Sequence, residues 1–386
     1  MWEISNFTSS ATPHLELTPE EKVYMSLNGS IIILGIITNS LNLLVLFRLR
    51  IGSPCPTTKI ILIFLSMADF FIMIVELFVH FIPFYTQWFQ VFYTDIGCGI
   101  GSLVQASLLT TSSWYILLLT LERFTAVYFP MKAKVYCTQK RILTACIMIP
   151  ILASLCFCFL PLDIVIDRTP AYHVCITKES LKQQGTFKHK LFIWIVLYFF
   201  LPAIFVVTLN AATARKLAKA SHLQQRMTSV VSRNDQQTKN LLARRNPIIS
   251  RAMSSQSQSA ITSSEQKIRK ATILVITASV AFVVLMIPRG ISTSISFDAR
   301  LEYQTDAEYS LDNVAYLLQY LNHATNFFLY VLVNDNFRNE IKSWFCKRKS
   351  SGFQRTKKQL QNGVDCEALT QTSGKKKKQK KVTLAV

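Results

Sequence analysis

The side chains with most chemical potential in this chain are a few ionisable groups set inside apolar stretches: Asp69, Glu76, the neighbours Glu122 and Arg123, and Arg289. A charge in such surroundings is expensive, and it is retained where it pairs, coordinates an ion or changes partner between two states. Asn39, Ser112, Asn322 and Asn326 fall at depths in their own stretches that would let them meet Asp69. Hydroxyls and amides around one carboxylate offer oxygen ligands, so Asp69, Ser112, Asn322 and Asn326 form a candidate site for a sodium ion. The alternative is a protonated Asp69 held in a purely hydrogen-bonded network. Beyond sodium no cofactor is expected, since there is no phosphate-cradling glycine loop, zinc spacing or nucleophile elbow. The chain does not read as an enzyme.

The elements that must position these groups follow from composition. Of 386 residues, 50% are apolar and only 17% charged. Soluble domains carry about 25% charged residues, so this chain is too poor in charge to cover a water-facing surface of its size. Seven stretches approach the roughly 20 apolar residues that a bilayer core requires: Val23–Phe47, Ile60–Phe84, Ile100–Leu121, Ile142–Leu162, Leu191–Asn210, Ala271–Ile287 (running on past Pro288) and Val314–Val333. In hydrocarbon each must satisfy its own backbone, which makes them helices. Pro83, Pro150, Pro161, Pro202 and Pro288 lie within or at the ends of spans and are expected to kink them. The fold class is therefore all-α, a seven-transmembrane helix bundle.

The net charge of +20 is not evenly spread. Residues 215–270 hold twelve basic against two acidic side chains, and the tail from Asp335 holds fourteen against four. Lys and Arg also dominate the loops after the first and third spans, whereas the alternate connections are near neutral or acidic. By the positive-inside rule the N-terminus is outside and the C-terminus cytoplasmic. Residues 1–22 form an extracellular N-terminus without the apolar core of a cleavable signal, so the first span is expected to direct insertion. Asn6-Phe7-Thr8 is a glycosylation sequon on that side; Asn28-Gly29-Ser30 also matches but lies in the first span.

Nine cysteines divide by compartment. Cys98 and Cys175 alone lie outside, where oxidation is allowed, and two candidates permit one pairing. Cys146, Cys156 and Cys158 read as small packing residues in the fourth span, and Cys55 and Cys137 face the reducing side. Cys346 closes the amphipathic stretch 336–345, a short interfacial helix after the last span with Phe337, Ile341, Trp344 and Phe345 on one face. S-acylation there would add a lipid anchor; a free thiol is the equal alternative.

Several spacings then coincide. Asn39 sits in an Asn-Ser-Leu context and Leu65-Ser66-Met67-Ala68-Asp69 lies in the second span; Cys98 precedes Arg123 by 25 residues within the third. Glu122-Arg123-Phe124 closes that span, Phe199 and Pro202 mark the fifth, and Phe282 with Pro288 the sixth. Asn326-Phe327-Phe328-Leu329-Tyr330 precedes Phe337-Arg338. In order and in register, over 23–346, the chain resembles the rhodopsin-like (class A) G-protein-coupled receptors. The resemblance implies an extracellular ligand and a heterotrimeric G protein, with arrestin and receptor kinases as further partners. It makes Glu122, Arg123, Phe124, Asn326 and Tyr330 the switch residues, with Arg123 paired to Glu122 at rest. Met286 stands where the family has a tryptophan, Phe327 replaces the proline of the seventh-helix motif, and Asn210 a tyrosine. Ile268 replaces the acid that some members pair with the arginine.

The same register bears on the ligand. Gln105 stands where amine receptors carry an aspartate, and Tyr320 where opsins carry their lysine. Phe327, Asn210 and the Glu-Arg-Phe triplet resemble invertebrate-type neuropeptide receptors related to FMRFamide receptors, which implies a short peptide ligand. Acidic edges at Glu16, Glu20, Glu21, Asp298, Glu302, Asp306, Glu308 and Asp312 would attract a basic one. Gln105, Glu76, Trp194, Arg289, Tyr316 and Tyr320 are the candidate pocket. Gln105 could pair with a terminal carboxamide. Glu76 and Arg289 either pair with each other, the better expectation, or contact ligand separately. For Trp194, Tyr316 and Tyr320 the plain alternative is helix packing. A lipid or other small-molecule ligand is the alternative within the class, and a seven-span transporter or channel the alternative outside it.

On the cytoplasmic side, 215–270 is expected to be an intracellular loop, disordered in its middle, with kinase-like triplets at Arg226–Ser229 and Arg251–Ser254. Residues 347–386 form a basic tail whose lysines at 375–378, 380 and 381 are drawn to anionic lipid rather than nucleic acid. The expected location is the plasma membrane, multi-pass.

Overall fold

The computed structural model describes residues 19–49, 56–82, 94–168, 173–178, 186–220, 250–299 and 306–346. The chain divides into two compact units, Met1–Asn334 and Asp335–Val386. Among the described residues the first unit contains seven long helices: α1 (Pro19–Arg48), α2 (Pro56–Val75, continued by a π-helical turn, Glu76–Phe81), α3 (Asp95–Tyr128) and α4 (Gln139–Cys156). Then come α5 (Thr186–Ile195, a π-helical turn Val196–Phe200, then helix to Ala220), α6 (Ser250–Ala299) and α7 (Asp306–Val333).

The bundle is apolar on the outside. Ile37, Phe71, Ile151, Leu155, Val284 and Leu332 are exposed, whereas Asn39, Asp69, Ser112, Thr120, Gln319 and His323 are buried. Such inversion is what a helix bundle solvated by lipid requires. Among the described residues six helices are long and apolar enough to cross a membrane by length and composition. The remaining one, α7, has its hydropathy lowered by Gln319, Asn322, His323 and Asn326, all of which it buries.

The helices run longer than the expected spans. α3 continues from Leu121 to Tyr128, α5 from Asn210 to Ala220, and α6 begins at Ser250 rather than near Ala271. Hydropathy marks only the lipid-immersed part of a helix; in α5 the Ala- and Lys-rich 211–220 carries it further, whereas the Ser-rich start of α6 is helical without that local cause. Position 250 also makes the end of the expected 215–270 loop helical; 221–249 lie outside the described residues. The fourth span, Gln139–Asp163, covers the expected stretch, but its regular helix is interrupted after Cys156. Phe157 N still bonds Ala153 O at 3.2 Å, but helix resumes only as the short turn Leu160–Asp163, because Pro161 has no N–H to continue the ladder.

Local causes are visible at several ends. Thr94 caps α3 by accepting from Gly97 N at 2.9 Å, and Thr138 caps α4 through Arg141 N at 3.4 Å. The π-helical turn of α5 precedes Pro202, whose ring would clash with a carbonyl one normal turn back. Trp114 of α3 donates to Leu197 O within that turn at 3.0 Å. Gly99 lets α3 approach the Leu160–Asp163 turn: a Cβ there would meet Pro161 Cα at 2.4 Å.

One feature is added to the helical fold. β1 (Ile164–Arg168) and β2 (His173–Thr177) form an antiparallel hairpin with Ile166 opposite Cys175. The expected disulfide, Cys98–Cys175, ties this hairpin to the start of α3. In the second unit, α8 (Asp335–Cys346) carries an Arg338–Asp335 ion pair and a Trp344 Nε1 bond to Glu340 at 3.3 Å. Asn6 and the basic tail lie outside the described residues, and of Cys346 only the helical backbone is described.

Candidate functional site

Three buried polar centres lie in the first unit. The first is a cavity of about 270 Å³. α1 contributes Tyr24, Asn28 and Ile32, α2 Glu76 and Phe81, α3 Gln105, and α7 Asn313, Tyr316 and Tyr320. Glu76 opens the π-helical turn of α2, a local widening frequent at functional sites. It is 1% exposed, and both of its oxygens are engaged: Gln105 Nε2 donates to Oε1 at 2.5 Å and Tyr320 Oη to Oε2 at 2.7 Å.

Four of the six residues expected at the pocket therefore line it. The other two do not. Trp194 stacks on Tyr198, centroids 5.3 Å apart, and its Nε1 is buried without a hydrogen-bond partner. Arg289 pairs with Asp312 Oδ1 at 2.5 Å, an oxygen that Ser292 also donates to, and lies 3.8 Å from the centroid of the Tyr316 ring. The expected Glu76–Arg289 pair is thus replaced by two separate arrangements. Sequence gives the depth of each group but not its rotation about the helix axis, and α7 offers Arg289 its own acid. Asp312 accordingly belongs to an ion pair rather than to a free acidic rim.

The second centre surrounds Asp69, which is fully buried. Ser112 Oγ donates to Oδ1 at 2.7 Å, Asn326 Nδ2 to Oδ2 at 2.7 Å, and His323 Nδ1 lies 2.8 Å from Oδ1. Asn39 reaches past it, donating to His323 O at 3.0 Å and Gly35 O at 2.9 Å. Asn322 is buried nearby in the chain, and its carbonyl takes a long bond from Thr325. A sodium ion needs oxygen lone pairs. Here Asn326 turns its amide nitrogen to the carboxylate and a ring nitrogen of His323 stands on the same oxygen as Ser112. This donor set makes a hydrogen-bonded network around the carboxyl group and fits an oxygen cage poorly. His323 was not singled out from sequence, although its position three residues before Asn326 puts both on one helical face.

The third centre holds Glu122 and Arg123, 4% and 2% exposed. Arg123 donates to both carboxylate oxygens of Glu122 and to Thr58 Oγ1; Thr57 donates to Glu122 at 2.6 Å. The two threonines on α2 have no signal in sequence beyond their place at the start of a span. Phe124 turns away from this centre and stacks on Tyr128, with centroids 4.5 Å apart. Tyr128 in turn donates to Ala212 O on α5 at 3.0 Å, and Lys216 lies 4.4 Å from its ring centroid. Of the other expected switch residues, Asn326 joins the Asp69 centre and Tyr330 is buried.

Comparison with known proteins adds two findings. The family model described as 7 transmembrane receptor (rhodopsin family) matches residues 39–330. A curated relative, an FMRFamide receptor of Drosophila melanogaster, is 22% identical over 341 residues. That match covers 83% of this chain and 53% of the relative, so the chain spans about half the length of the curated relative it matches.

Proposed function

Since the chain belongs to the rhodopsin family of seven-transmembrane receptors, and so is a multi-pass membrane protein and not an enzyme, we propose that it is a plasma-membrane receptor for a short amidated neuropeptide that activates a heterotrimeric G protein. The observation that carries this reading is the cavity at Glu76, Gln105, Tyr316 and Tyr320, a polar recess sized for one side chain of a ligand whose remainder lies outside it. The likeness to the FMRFamide receptor supports a peptide of that kind. The excess of Lys and Arg in 215–270 and the tail supports a cytoplasmic C-terminus and an extracellular N-terminus.

In this reading the ligand competes for the bonds that Gln105 and Tyr320 make to Glu76. Tyr320 lies one turn from Asn322–His323 on α7, so a shift of α7 is felt at Asp69. At the other end, Arg123 exchanges Glu122 and Thr58 for the G protein as the helices repack, a change of partner between two packings rather than a chemical step. Arrestin and receptor kinases would follow on the same face, with Ser and Thr of 226–264 as acceptors, while the lysine-rich tail rests on anionic lipid. Glycosylation at Asn6 and acylation of Cys346 belong to the same proposal.

The test is a promiscuous G-protein reporter in cells expressing the chain, challenged with amidated and free-acid short peptides beside amines and lipids. A saturable response to amidated peptides, lost in Gln105→Ala at unchanged surface expression, is expected. A response confined to a lipid or an amine would overturn the peptide reading.

A further inference from the structure

The cavity has an unbalanced charge. Glu76 is buried, and the two groups that bond it, the Gln105 amide and the Tyr320 hydroxyl, are neutral. No basic side chain is among the described residues that line the cavity. Arg289 pairs with Asp312 and lies over the Tyr316 ring. Asn28 stands in the same wall: it is 9% exposed, and its Oδ1 is buried without a hydrogen-bond partner. Tyr24, Tyr316 and Tyr320 add aromatic faces. A recess of acceptors and π faces with a net negative charge is complementary to a cation rich in donors. A guanidinium has five N–H donors and no acceptor, and it stacks on tyrosine.

We infer that this cavity receives a guanidinium or ammonium group of the ligand, with Glu76 as counter-ion and Asn28 as second acceptor. This rests on the cavity being the ligand pocket and deepens that reading: the part of the ligand that enters is its basic side chain. A buried carboxylate bonded only by neutral donors retains most of its desolvation cost, and a ligand cation offsets it. An acidic or neutral side chain gains nothing there.

The purified full chain in lipid nanodiscs is melted with acetylarginine amide and with acetylcitrulline amide, which differ only in the charged nitrogen. The arginine compound should raise the melting temperature saturably and the citrulline compound should not. Glu76→Gln should erase the difference. Asn28→Asp, which leaves Glu76 in place, should widen it and serves should the first variant fail to fold. Equal shifts for the two compounds, or a preference that survives in Glu76→Gln, would overturn the inference. In the cell reporter, Phe-Met-Arg-Phe-amide should be about ten- to a hundredfold more potent than its citrulline analogue on the unaltered chain. Cation selectivity in nanodiscs without any peptide response would sink the peptide reading alone. Equal potency of the two peptides would sink the cation site alone.

Discussion

Glu122 and Glu76 are both buried acids within the same bundle, and their surroundings differ in kind. Around Glu122 stand the Arg123 guanidinium and the hydroxyls of Thr57 and Thr58, so charge is matched inside the protein. Around Glu76 stand an amide, a phenol and open volume, and no described lining residue carries a positive charge. A matched pair holds one conformation until a competitor replaces one partner. An unmatched acid has a standing demand for a cation from outside. In the proposed reading the first serves internal switching and the second recognition; Asp69 differs from both in having a histidine beside it.

The comparison is broken most severely at Arg123. Arg123→Ala leaves Glu122 buried with only hydroxyls, and loss of one member of a buried pair costs about 3–5 kcal/mol. Thermal unfolding of the purified chain should report a large drop, with signalling lost as well. At the other acid, Tyr320→Phe removes a single bond to Glu76 and should cost about 1–2 kcal/mol. A drop as large as that of Arg123→Ala would mean that Glu76 is part of a structural lock rather than an open acceptor.

A finer probe is Cys137, which lies between α3 and α4. Burial first, and the Glu122 carboxylate second, push its thiol above the usual range, while Arg123 opposes them. A raised thiol carries less thiolate near neutrality, and the thiolate is the reactive form. Iodoacetamide should therefore label Cys137 slowly at pH 8, and Glu122→Gln should speed it about two- to threefold by lowering the thiol toward its ordinary value. An unchanged rate would show that burial alone sets the thiol and that the field of Glu122 does not reach it. Smallest of all is the effect of ion exchange at Asp69. Replacing sodium with choline should leave the melting temperature unmoved, because nitrogen donors occupy the carboxylate; a clear fall would restore the oxygen-cage reading.

Much of this was legible in the residues. Six of the seven helices stand out by hydropathy because the bilayer fixes a minimum apolar length, α7 less so for its buried polar residues, and the Cys98–Cys175 bond follows from compartment. Helix ends were not legible, because beyond the lipid nothing in the pattern distinguishes a continuing helix such as 211–220 from a loop. Depth was legible where rotation was not. Asp69, Ser112 and Asn326, grouped by depth, share hydrogen bonds, whereas Glu76 and Arg289, also grouped by depth, face different partners. His323, Thr58 and Asn28 were missed because a common residue type at an unremarkable position carries no signal until its neighbours are known.

The Arg289–Asp312 contact has a mechanical consequence. With Ser292 joining on the same carboxylate, it adds an ion pair to the packing of α6 on α7 just past Pro288. A rod pinned near one end moves least at the pin and most at its far end. Along the roughly 25 Å of helix between Arg289 and Thr272, a tilt of about ten degrees displaces the Thr272 end by about 4 Å. If α6 tilts in the proposed signalling, such a clasp would turn a small rotation near Arg289 into travel at the Thr272 end.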